Sequence, residues 1–382
     1  MNRPPSRCLR ILHVIQNLNY GGMERLLTDL VRLADGHRFE THVLTLEYLG
    51  RFSREMEGFA TLHLSPRMSA FSLVRPVRLA KLIARLAPHV VHTHSGVWYK
   101  VARAARLAGV RRVMHTEHGQ PFEGTVARFL NRRASRLTDV VVAVSEPLRR
   151  HLVERLRLPA ERLAVISNGV DVHAFCPRLP SGALQRELGL DCDQPIVGSV
   201  GRLEPVKGYE VVMEAFRLLC DRLPGPAPVL IIAGEGSARS ELEALIARLG
   251  LSGKVFLLGW RDDLQDLYAH FDCFAMGSMS EGTSISLLEA MASGVAPVVT
   301  SVGGNLDVLG PELADLAVPP GDATALAGRI ECLLRDGAAQ AMGAVARRRV
   351  VQAYRIEATV EAYAQLYTDH GEERKPDSRG VG

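Results

Sequence analysis

Two glutamates, eight positions apart in the second half of the chain, enclose a turn rich in glycine and hydroxyl side chains. Glu281 precedes the turn, and Glu289 lies two helical turns into the helix predicted after it. The residues that would begin this helix and direct N–H groups at an anion are Gly282, Thr283, Ser284 and Ile285. A carboxylate on each side of a phosphate-binding helix start suits a nucleotide-sugar, because the ribose and sugar hydroxyls can donate to the carboxylates. The alternative is a capped helix with an ordinary surface glutamate.

Two cations lie five positions apart in a turn, residues 201–208, that follows a predicted strand. Arg202 would bind phosphate oxygens as a planar fork, and Lys207 would bind them as a point charge. Both side chains can reach one diphosphate across such a turn. The alternative interpretation is a pair of solvated surface charges.

Glycine turns follow the first predicted strand of the chain and the second predicted strand of its second half. Gly21 and Gly22 open a helix, and two adjacent glycines there let the backbone approach an anion. Gly234 begins a Gly-Glu-Gly turn that lacks the third glycine of a dinucleotide fingerprint. Because glycine turns join many strands to helices, these residues indicate a binding site only in combination with the cations and the capped helix.

Four histidines lie at the ends of two predicted strands, where open α/β sheets bind ligands. They are His92, His94, His115 and His118. A metal site is conceivable, but no carboxylate or cysteine has a fitting spacing, and buried, hydrogen-bonded histidines are commoner. We therefore expect no metal ion.

Short apolar runs that end in polar or glycine-rich loops alternate with helical periodicity in both halves of the chain, which predicts parallel strands joined by helices. The predicted strands lie near residues 9–15, 40–46, 89–94, 112–117, 139–145 and 163–167, and near 195–201, 228–234, 255–259, 273–277 and 296–301. The last helices are predicted for residues 324–334 and 338–367, with a break near Tyr354. Each half is therefore expected to be a doubly wound α/β sheet. The stretch 176–194 is rich in Pro, Gly and charged residues and is the predicted linker.

The composition is that of a folded protein of about two domains. The chain has 382 residues, of which 47% are hydrophobic and 23% charged, which excludes wholesale disorder. Its apolar runs are far shorter than the ~20 residues that cross a bilayer, and the N-terminus lacks the pattern of a secretory signal. We therefore expect a cytoplasmic protein. Its six cysteines occur singly, which argues against a disulfide framework and a zinc knuckle.

The two halves differ in charge. Residues 1–190 carry 29 Lys and Arg against 15 Asp and Glu, whereas residues 191–382 carry 17 against 27, so their formal charges are +14 and −10. A basic half can attract nucleic acid, anionic lipid headgroups or a phosphorylated acceptor. Residues 72–86 form a basic amphipathic pattern that can lie on an anionic membrane. The alternatives are a solvated arginine-rich surface and a helix that packs on its own sheet.

The motifs named above resemble those of the retaining glycosyltransferases of family 4, which have the GT-B fold of two facing Rossmann-like domains. The resemblance rests on the two glutamates, the turn 201–208, and the segments 167–171 (Ser-Asn-Gly-Val-Asp) and 302–305 (Val-Gly-Gly-Asn). It extends from about residue 10 to residue 367. The expected domains are an acceptor-side domain (1–180), a nucleotide-sugar-binding domain (190–355), a helix packing back on the first domain (356–370) and a disordered tail (371–382).

The resemblance implies a role for each motif residue. Glu281 would contact donor-sugar hydroxyls, Glu289 the ribose, and Arg202 with Lys207 the diphosphate leaving group. The residues implied near the donor phosphates, sugar or nucleotide are Gly21, Gly22, Gly234, Arg261, Gly282, Thr283, Ser284 and Ile285. His118 would face the sugar as an active-site residue. His94 would lie near the acceptor.

The implied activity is retaining, metal-independent transfer of a hexose from a nucleotide-diphosphate sugar, with UDP or GDP as the nucleotide, to a glycan or lipid-linked acceptor. No cofactor and no nucleic-acid partner are expected, and peripheral contact with an anionic membrane stays open beside the solvated-surface alternative. The sequence around Glu281 and Val302 resembles that of sugar transferases encoded in exosortase (PEP-CTERM)-associated exopolysaccharide loci. The alternatives are a nucleotide-sugar 2-epimerase of the same architecture and a non-catalytic nucleotide-sugar-binding protein.

Overall fold

The computed structural model describes residues 8–19, 21–66, 75–119, 124–223, 225–335 and 337–369. Within these ranges the chain forms two parallel β-sheets, of seven and six strands, with helices between the strands. The doubly wound α/β architecture expected for both halves is therefore confirmed. The tail expected from residue 371 lies outside the described residues.

The first sheet is built from residues 9–165, and all its strand pairs are parallel. Its strands are β1 (Leu9–Asn17), β2 (Phe39–Tyr48), β3 (Thr61–Leu64), β4 (Val90–His94), β5 (Arg112–Glu117), β6 (Val140–Ala143) and β7 (Leu163–Val165). Its helices are α1 (Gly22–Arg32), α2 (Val77–Leu86), α3 (Trp98–Leu107), α4 (Thr125–Arg136) and α5 (Glu146–Glu154). The strand order is β3-β2-β1-β4-β5-β6-β7, so the winding reverses between β1 and β4.

The second sheet repeats this plan after a short helix, α6 (Ala183–Leu188), in the expected linker. Its strands are β8 (Ile196–Val200), β9 (Val229–Ala233), β10 (Val255–Gly259), β11 (Cys273–Met276), β12 (Ala296–Thr300) and β13 (Ala317–Val318). Its helices are α7 (Tyr209–Arg222), α8 (Arg239–Arg248), α9 (Leu264–Ala269), α10 (Ile285–Ala292), α11 (Asn305–Leu309), α12 (Ala323–Arg335) and α13 (Ala338–Ala353). The order β10-β9-β8-β11-β12-β13 reverses between β8 and β11.

The central strands are apolar because helices cover both faces of each sheet, so side chains on either face are removed from water. The sequence Val-Leu-Ile-Ile-Ala of β9 is buried along its whole length. Each strand leads from the core to a loop at the carboxyl edge of its sheet. Parallel sheets of this kind bind ligands at that edge, where the winding reverses.

The chain crosses between the two sheets twice. After the second sheet it returns through a bridge between Val170 and Arg355, and a last helix, α14 (Ile356–Thr368), lies against the first sheet. Tyr367 of this helix bonds to His92 of β4 through its hydroxyl, 2.8 Å from Nδ1, and Thr359 donates to the Ser167 carbonyl. The second crossing therefore ties the end of the C-terminal half to the N-terminal sheet.

Eleven strands and the last two helical segments were expected, and all are present within a few residues of their predicted bounds, including the break at Tyr354. Strands β3 and β13 were not predicted. They have four and two residues and lie at sheet edges, so they carry too little apolar pattern to be recognised from sequence.

Within the basic amphipathic pattern of residues 72–86, residues 77–86 form helix α2. Leu79, Ala80 and Ile83 are buried against the fold, whereas Arg78 and Lys81 are exposed. Among the described residues, none of the helices has both the length and the apolar content needed to span a membrane.

Candidate active site

A cleft of about 730 Å³ lies between the two sheets, and the loops after β1, β4, β8 and β11 line it. These four loops flank the reversal of winding in each sheet. From the first half it is lined by Gly21, Gly22, Glu24, Ser95, Trp98, Glu117 and His118. From the second half it is lined by Arg202, Lys207, Gly234, Arg261, Glu281, Thr283, Ser284, Ile285 and Glu289. The topology thus brings together motif residues that are far apart in sequence.

Lys207 and Glu281 form an ion pair on the wall of the second domain. The Lys207 ammonium donates to Glu281 Oε1 over 2.7 Å, and the Ser278 hydroxyl donates to the same oxygen over 2.6 Å. The Glu281 side chain is only 8% exposed and that of Lys207 20%. The pair therefore presents a largely dehydrated ammonium group and a fixed carboxylate side by side, as a diphosphate and a sugar hydroxyl require.

Helix α10 begins at the cleft with a side-chain cap. Ser284 accepts a hydrogen bond from the Leu287 amide, and the buried Asn168 amide donates to the Thr283 carbonyl over 2.8 Å. Asn168 belongs to the segment that connects the two halves, so this bond fixes the turn before α10 against the linker. The start of α10 lines the cleft, and N–H groups of a first helical turn that lack a partner within the helix can stabilise an anion there.

Two glycines lie where the two domains approach each other closely. A Cβ placed on Gly22, the first residue of α1, would lie 3.1 Å from Cγ1 of Ile285, the first residue of α10. A Cβ placed on Gly282 would lie 2.2 Å from the His118 carbonyl oxygen. The starts of α1 and α10 therefore face each other across the cleft, and the absence of side chains at these positions permits it.

Glu289 lies in a buried pocket at the end of the cleft. Its Oε2 accepts a hydrogen bond from the Tyr268 hydroxyl over 3.0 Å. Burial raises the pKa of the Glu289 carboxyl to about 7, although Arg25 and the bond from Tyr268 favour the ionised form. A dehydrated carboxylate with one free oxygen is suited to accept hydrogen bonds from a ribose diol.

A second buried carboxyl, Glu24, occupies the first turn of α1 and lines the cleft opposite Arg202. Burial raises its pKa to about 7, while its own backbone N–H and the Arg202 guanidinium oppose that rise. Sequence analysis missed this residue as a site residue, although it stands two positions after Gly22. Tyr268 was also missed, and Asn168 was recognised only as part of the segment 167–171, without a role, since their partners are 21 and 115 positions away.

His118 borders the cleft at the end of β5 and is neutral at pH 7, because burial lowers its pKa to about 4. Its Nε2 lies 3.1 Å from Nδ1 of His94. His94 is fully buried behind it and is not among the residues that line the cleft, so the structure does not place its side chain where it would meet an acceptor. Gly282, also expected at the donor, lies beneath the wall against the His118 carbonyl.

The histidines form a cluster in which the ring nitrogens of His13, His92 and His94 lie within 4.8 Å of one another. Three such residues match the ligand types of a metal site. The nitrogens are, however, paired within the protein: those of His92 with the Tyr367 and Thr116 hydroxyls, and those of His94 with His13 and His118. Hydrogen bonds therefore satisfy these buried imidazoles.

Arg261 lines the cleft, but its guanidinium already holds two carboxylates. It contacts Glu187 at 2.8 Å and Asp263 at 2.6 Å. These bonds fix the loop after β10 next to Gly234. Trp260, the residue before Arg261, packs edge-on against Phe52 of the first domain at a ring distance of 5.9 Å.

Comparisons with known proteins agree with this geometry. Residues 182–375 match the family described as glycosyl transferases group 1, and residues 20–174 match glycosyltransferase family 4. The chain belongs to the group 1 glycosyl transferases. The glycosyltransferase activity expected from the motif residues is therefore confirmed, as is a family 4 type of chain.

Relatives resemble this glycosyltransferase over almost its whole length. It is 26% identical over 376 residues to the Escherichia coli UDP-Gal:alpha-D-GlcNAc-diphosphoundecaprenol alpha-1,3-galactosyltransferase, covering 94% of this chain and 97% of that one. It is 29% identical over 367 residues to a GDP-mannose-dependent alpha-(1-6)-phosphatidylinositol monomannoside mannosyltransferase of Mycobacterium tuberculosis, covering 88% and 91%.

Solved structures share the fold. The crystal structure of Anabaena Alr3699/HepE in complex with UDP-glucose superposes with a TM-score of 0.80 at 23% identity, covering 94% of this chain and 99% of that one. A glycosyltransferase from Rickettsia africae gives a TM-score of 0.79 at 22% identity, covering 95% and 98%. The GT-B fold expected from the sequence is thereby confirmed.

Proposed function

We propose that this glycosyltransferase transfers a hexose, with retention of the anomeric configuration, from a nucleoside-diphosphate sugar to a lipid-linked glycan acceptor. The observation that carries the proposal is the convergence of Arg202, Lys207, Glu281 and Glu289 on one cleft wall around the start of α10. Two cations, a capped helix start and two carboxylates match the two phosphates and the two sets of hydroxyls of such a donor.

On the donor side, the diphosphate lies at the start of α10 between Arg202 and Lys207, and Glu289 accepts from the ribose. Glu281 and His118 meet the hydroxyls of the transferred sugar. When the bond between the anomeric carbon and the phosphate oxygen breaks, charge develops on the leaving diphosphate. The cations and the helix start stabilise that charge, which is electrostatic catalysis without a required metal ion.

Retention follows from attack on the face that the diphosphate leaves. The acceptor oxygen forms the new bond to the anomeric carbon, and its proton passes to the departing phosphate oxygen. This route needs no covalent intermediate on the protein. His118, which is neutral at pH 7, takes part as a hydrogen-bonding group rather than as a cation.

The donor nucleotide is proposed to be UDP, with GDP as the alternative. A galactosyltransferase named for UDP-Gal and a mannosyltransferase named for GDP-mannose are both similar to this chain over most of its length. The similarity to the first covers the larger share of both chains. The proposed biological role is exopolysaccharide or cell-envelope glycan synthesis. The resemblance of the sequence around Glu281 and Val302 to exopolysaccharide sugar transferases supports it.

The acceptor is proposed to remain attached to a membrane, and the charge of the first domain supports this. Helices α2, α3 and α4 contain ten Lys and Arg residues and no Asp or Glu. They pack side by side, α2 on α3 and α3 on α4. Of these ten cations, Arg106 is the one that forms a salt bridge within the part of the chain that the structure describes. The layer is therefore a continuous positive surface with little internal compensation.

The same layer combines charge with exposed apolar side chains beside the cleft. Val126 and Phe129 of α4 are 72% and 55% exposed, while Leu130 and Asn131 of the same helix line the cleft. Basic and apolar side chains on one face bind anionic bilayers. A membrane against α4 would bring a lipid-linked acceptor to the mouth of the cleft.

The function is tested by incubating the purified enzyme with UDP-galactose, UDP-glucose or GDP-mannose and a polyprenyl-diphosphate-linked N-acetylglucosamine acceptor, in EDTA. We expect transfer from one donor, with an α-linkage by the one-bond coupling between the anomeric carbon and its proton in the product. An inverted product would contradict retention, and transfer that needs an added divalent cation would contradict metal independence. Conversion of a donor to its 2-epimer without acceptor would support the epimerase instead.

A further inference from the structure

Three imidazoles form a hydrogen-bonded chain that leads from the cleft into the first domain. His118 Nε2 lies 3.1 Å from His94 Nδ1, and His94 Nε2 lies 3.2 Å from His13 Nδ1. The rings of successive residues are stacked, with centroids 5.4 and 5.5 Å apart. His13 and His94 come from the adjacent strands β1 and β4 and are buried, so only His118 lines the cleft.

The tautomers of the three rings are coupled. A neutral imidazole carries one N–H, and both nitrogens of His94 are used in the chain. If His94 donates from Nδ1 to His118, its Nε2 must accept from His13; if it accepts from His118, it must donate to His13. The position of one hydrogen in the chain therefore sets the positions of the others.

The rings are neutral at pH 7, so the coupling operates at physiological pH. Burial lowers the pKa of His13 to about 4 and holds that of His94 well below its ordinary value. The other groups around the chain are His92 on β4, His115 and Glu117 on β5, and Tyr367 on α14. The free end of the chain is His118 Nδ1, which is buried without a partner among the described residues. A buried polar atom of this kind destabilises the fold until a ligand or water satisfies it.

We propose that His94 and His13 are positioning residues, which fix the ring orientation and the tautomer of His118 and so decide how its Nδ1 meets a substrate hydroxyl. The part of this inference that concerns substrate rests on the proposed function. The part that concerns the tautomer does not. His92, in the same cluster, is bonded to the Thr116 and Tyr367 hydroxyls instead and serves to anchor α14.

The first domain offers a matched control. His42 and His63, on β2 and β3, form a pair of the same kind, with 2.8 Å between Nδ1 and Nε2 and rings stacked at 5.1 Å. Neither lines the cleft. Replacing His63 therefore removes a histidine–histidine hydrogen bond from the same sheet without touching the chain that ends at His118.

The experiment records the side-chain ¹⁵N signals of His118 in protein labelled at histidine, for the full-length wild type and for H94L, H13L and H63Q. We expect H94L and H13L to change the tautomer of His118 and H63Q to leave it as in wild type. H94N, whose amide takes the place of Nδ1, keeps the contact with His118 and provides a folded variant if H94L is unstable. H13L alone decides if H94L does not fold. An unchanged His118 tautomer in H94L and H13L, or in H13L alone in that case, would overturn the inference.

Kinetics separate positioning from packing. With the donor found in the transfer assay, H13L and H94L should lower kcat about tenfold or more while the KM for donor stays within about twofold, as expected for loss of a correctly placed imidazole hydrogen. A changed tautomer with unchanged kcat would overturn the role in transfer. If wild type transfers from no donor, the proposed function fails, and the tautomer comparison still decides whether the chain controls His118.

Discussion

The Lys207 ammonium lies 2.7 Å from a carboxylate oxygen of Glu281, 74 positions later in the chain. The pair joins the loop after β8 to the loop after β11, on the two sides of the reversal of winding in the second sheet. In this contact each residue neutralises the other. A bound donor would replace this contact with a phosphate on Lys207 and a sugar hydroxyl on Glu281.

Removing one member of this pair should affect both stability and transfer. In K207M the Glu281 carboxylate stays buried without its cation, so we expect the free energy of unfolding to fall by about 3 kcal/mol. In the double variant K207M/E281Q the lost free energy of unfolding should be largely recovered, because no buried carboxylate remains. Transfer should nevertheless remain lost. Denaturant unfolding and the transfer assay measure the two effects. K254M, which removes an ammonium from the opposite edge of the sheet, is the control and should alter neither. Transfer by the double variant would show that the pair is not part of the site.

Glu289 should make stability depend on pH. Its pKa is about 7 in the folded protein and 4.5 in an unperturbed glutamate, so the folded state holds the proton more tightly. Stability is therefore lost as pH rises from about 4.5 through about 7. The side chain of E289Q does not titrate. We therefore expect the free energy of unfolding of E289Q, relative to that of wild type, to rise by about 2 to 3 kcal/mol from pH 5 to pH 8.

The same substitution should weaken binding of the nucleotide, since a neutral amide accepts ribose hydroxyls less well than a carboxylate. The control is E241Q on the exposed face of α8. It should show no gain in stability between pH 5 and pH 8. Unfolding curves at the two pH values provide the measurement, and a constant difference between E289Q and wild type would show that the carboxyl is not held in a dehydrated pocket.

The contact between Gly22 and Ile285 should limit how far the cleft closes. In G22V the added methyl groups would meet the Ile285 side chain, which lies at 3.1–3.2 Å from a Cβ at this position. We expect kcat/KM to fall about tenfold or more, because reacting groups about 1 Å out of place lose catalysis. Adding I285A to G22V should restore part of the loss. An active G22V, or no recovery in G22V/I285A, would contradict a closing contact.

The sequence specified the central strands and the loops at their carboxyl ends well, because short apolar runs that end in polar or glycine-rich loops repeat in both halves. It did not specify β3 and β13, whose few residues pair only because a neighbouring strand is already in place. It also did not show that His94 lies buried behind His118. The alternation of a strand places residues 92 and 94 on the same face, but which face the last helix covers depends on residues near 367.

The basic layer of α2, α3 and α4 should bind anionic membranes. We expect the protein to sediment with vesicles that contain phosphatidylglycerol and not with vesicles of phosphatidylcholine alone, and the binding to weaken as salt increases. R128E/R133E and V126S/F129S should each reduce it about tenfold. R329E/R348E makes the same charge change on exposed positions of α12 and α13 and should not reduce it. Equal binding of all variants to the vesicles would show that the basic layer is not the surface that contacts the membrane.

The most direct test of the donor site is a calorimetric titration of the protein with UDP and with GDP in EDTA. The account predicts that one of these nucleotides binds wild type without a metal ion. It also predicts that K207M and E289Q each weaken that binding by tenfold or more, while K254M and E241Q do not. Binding of neither nucleotide, or equal affinity in all five proteins, would contradict a donor site built from Lys207, Glu289 and the start of α10.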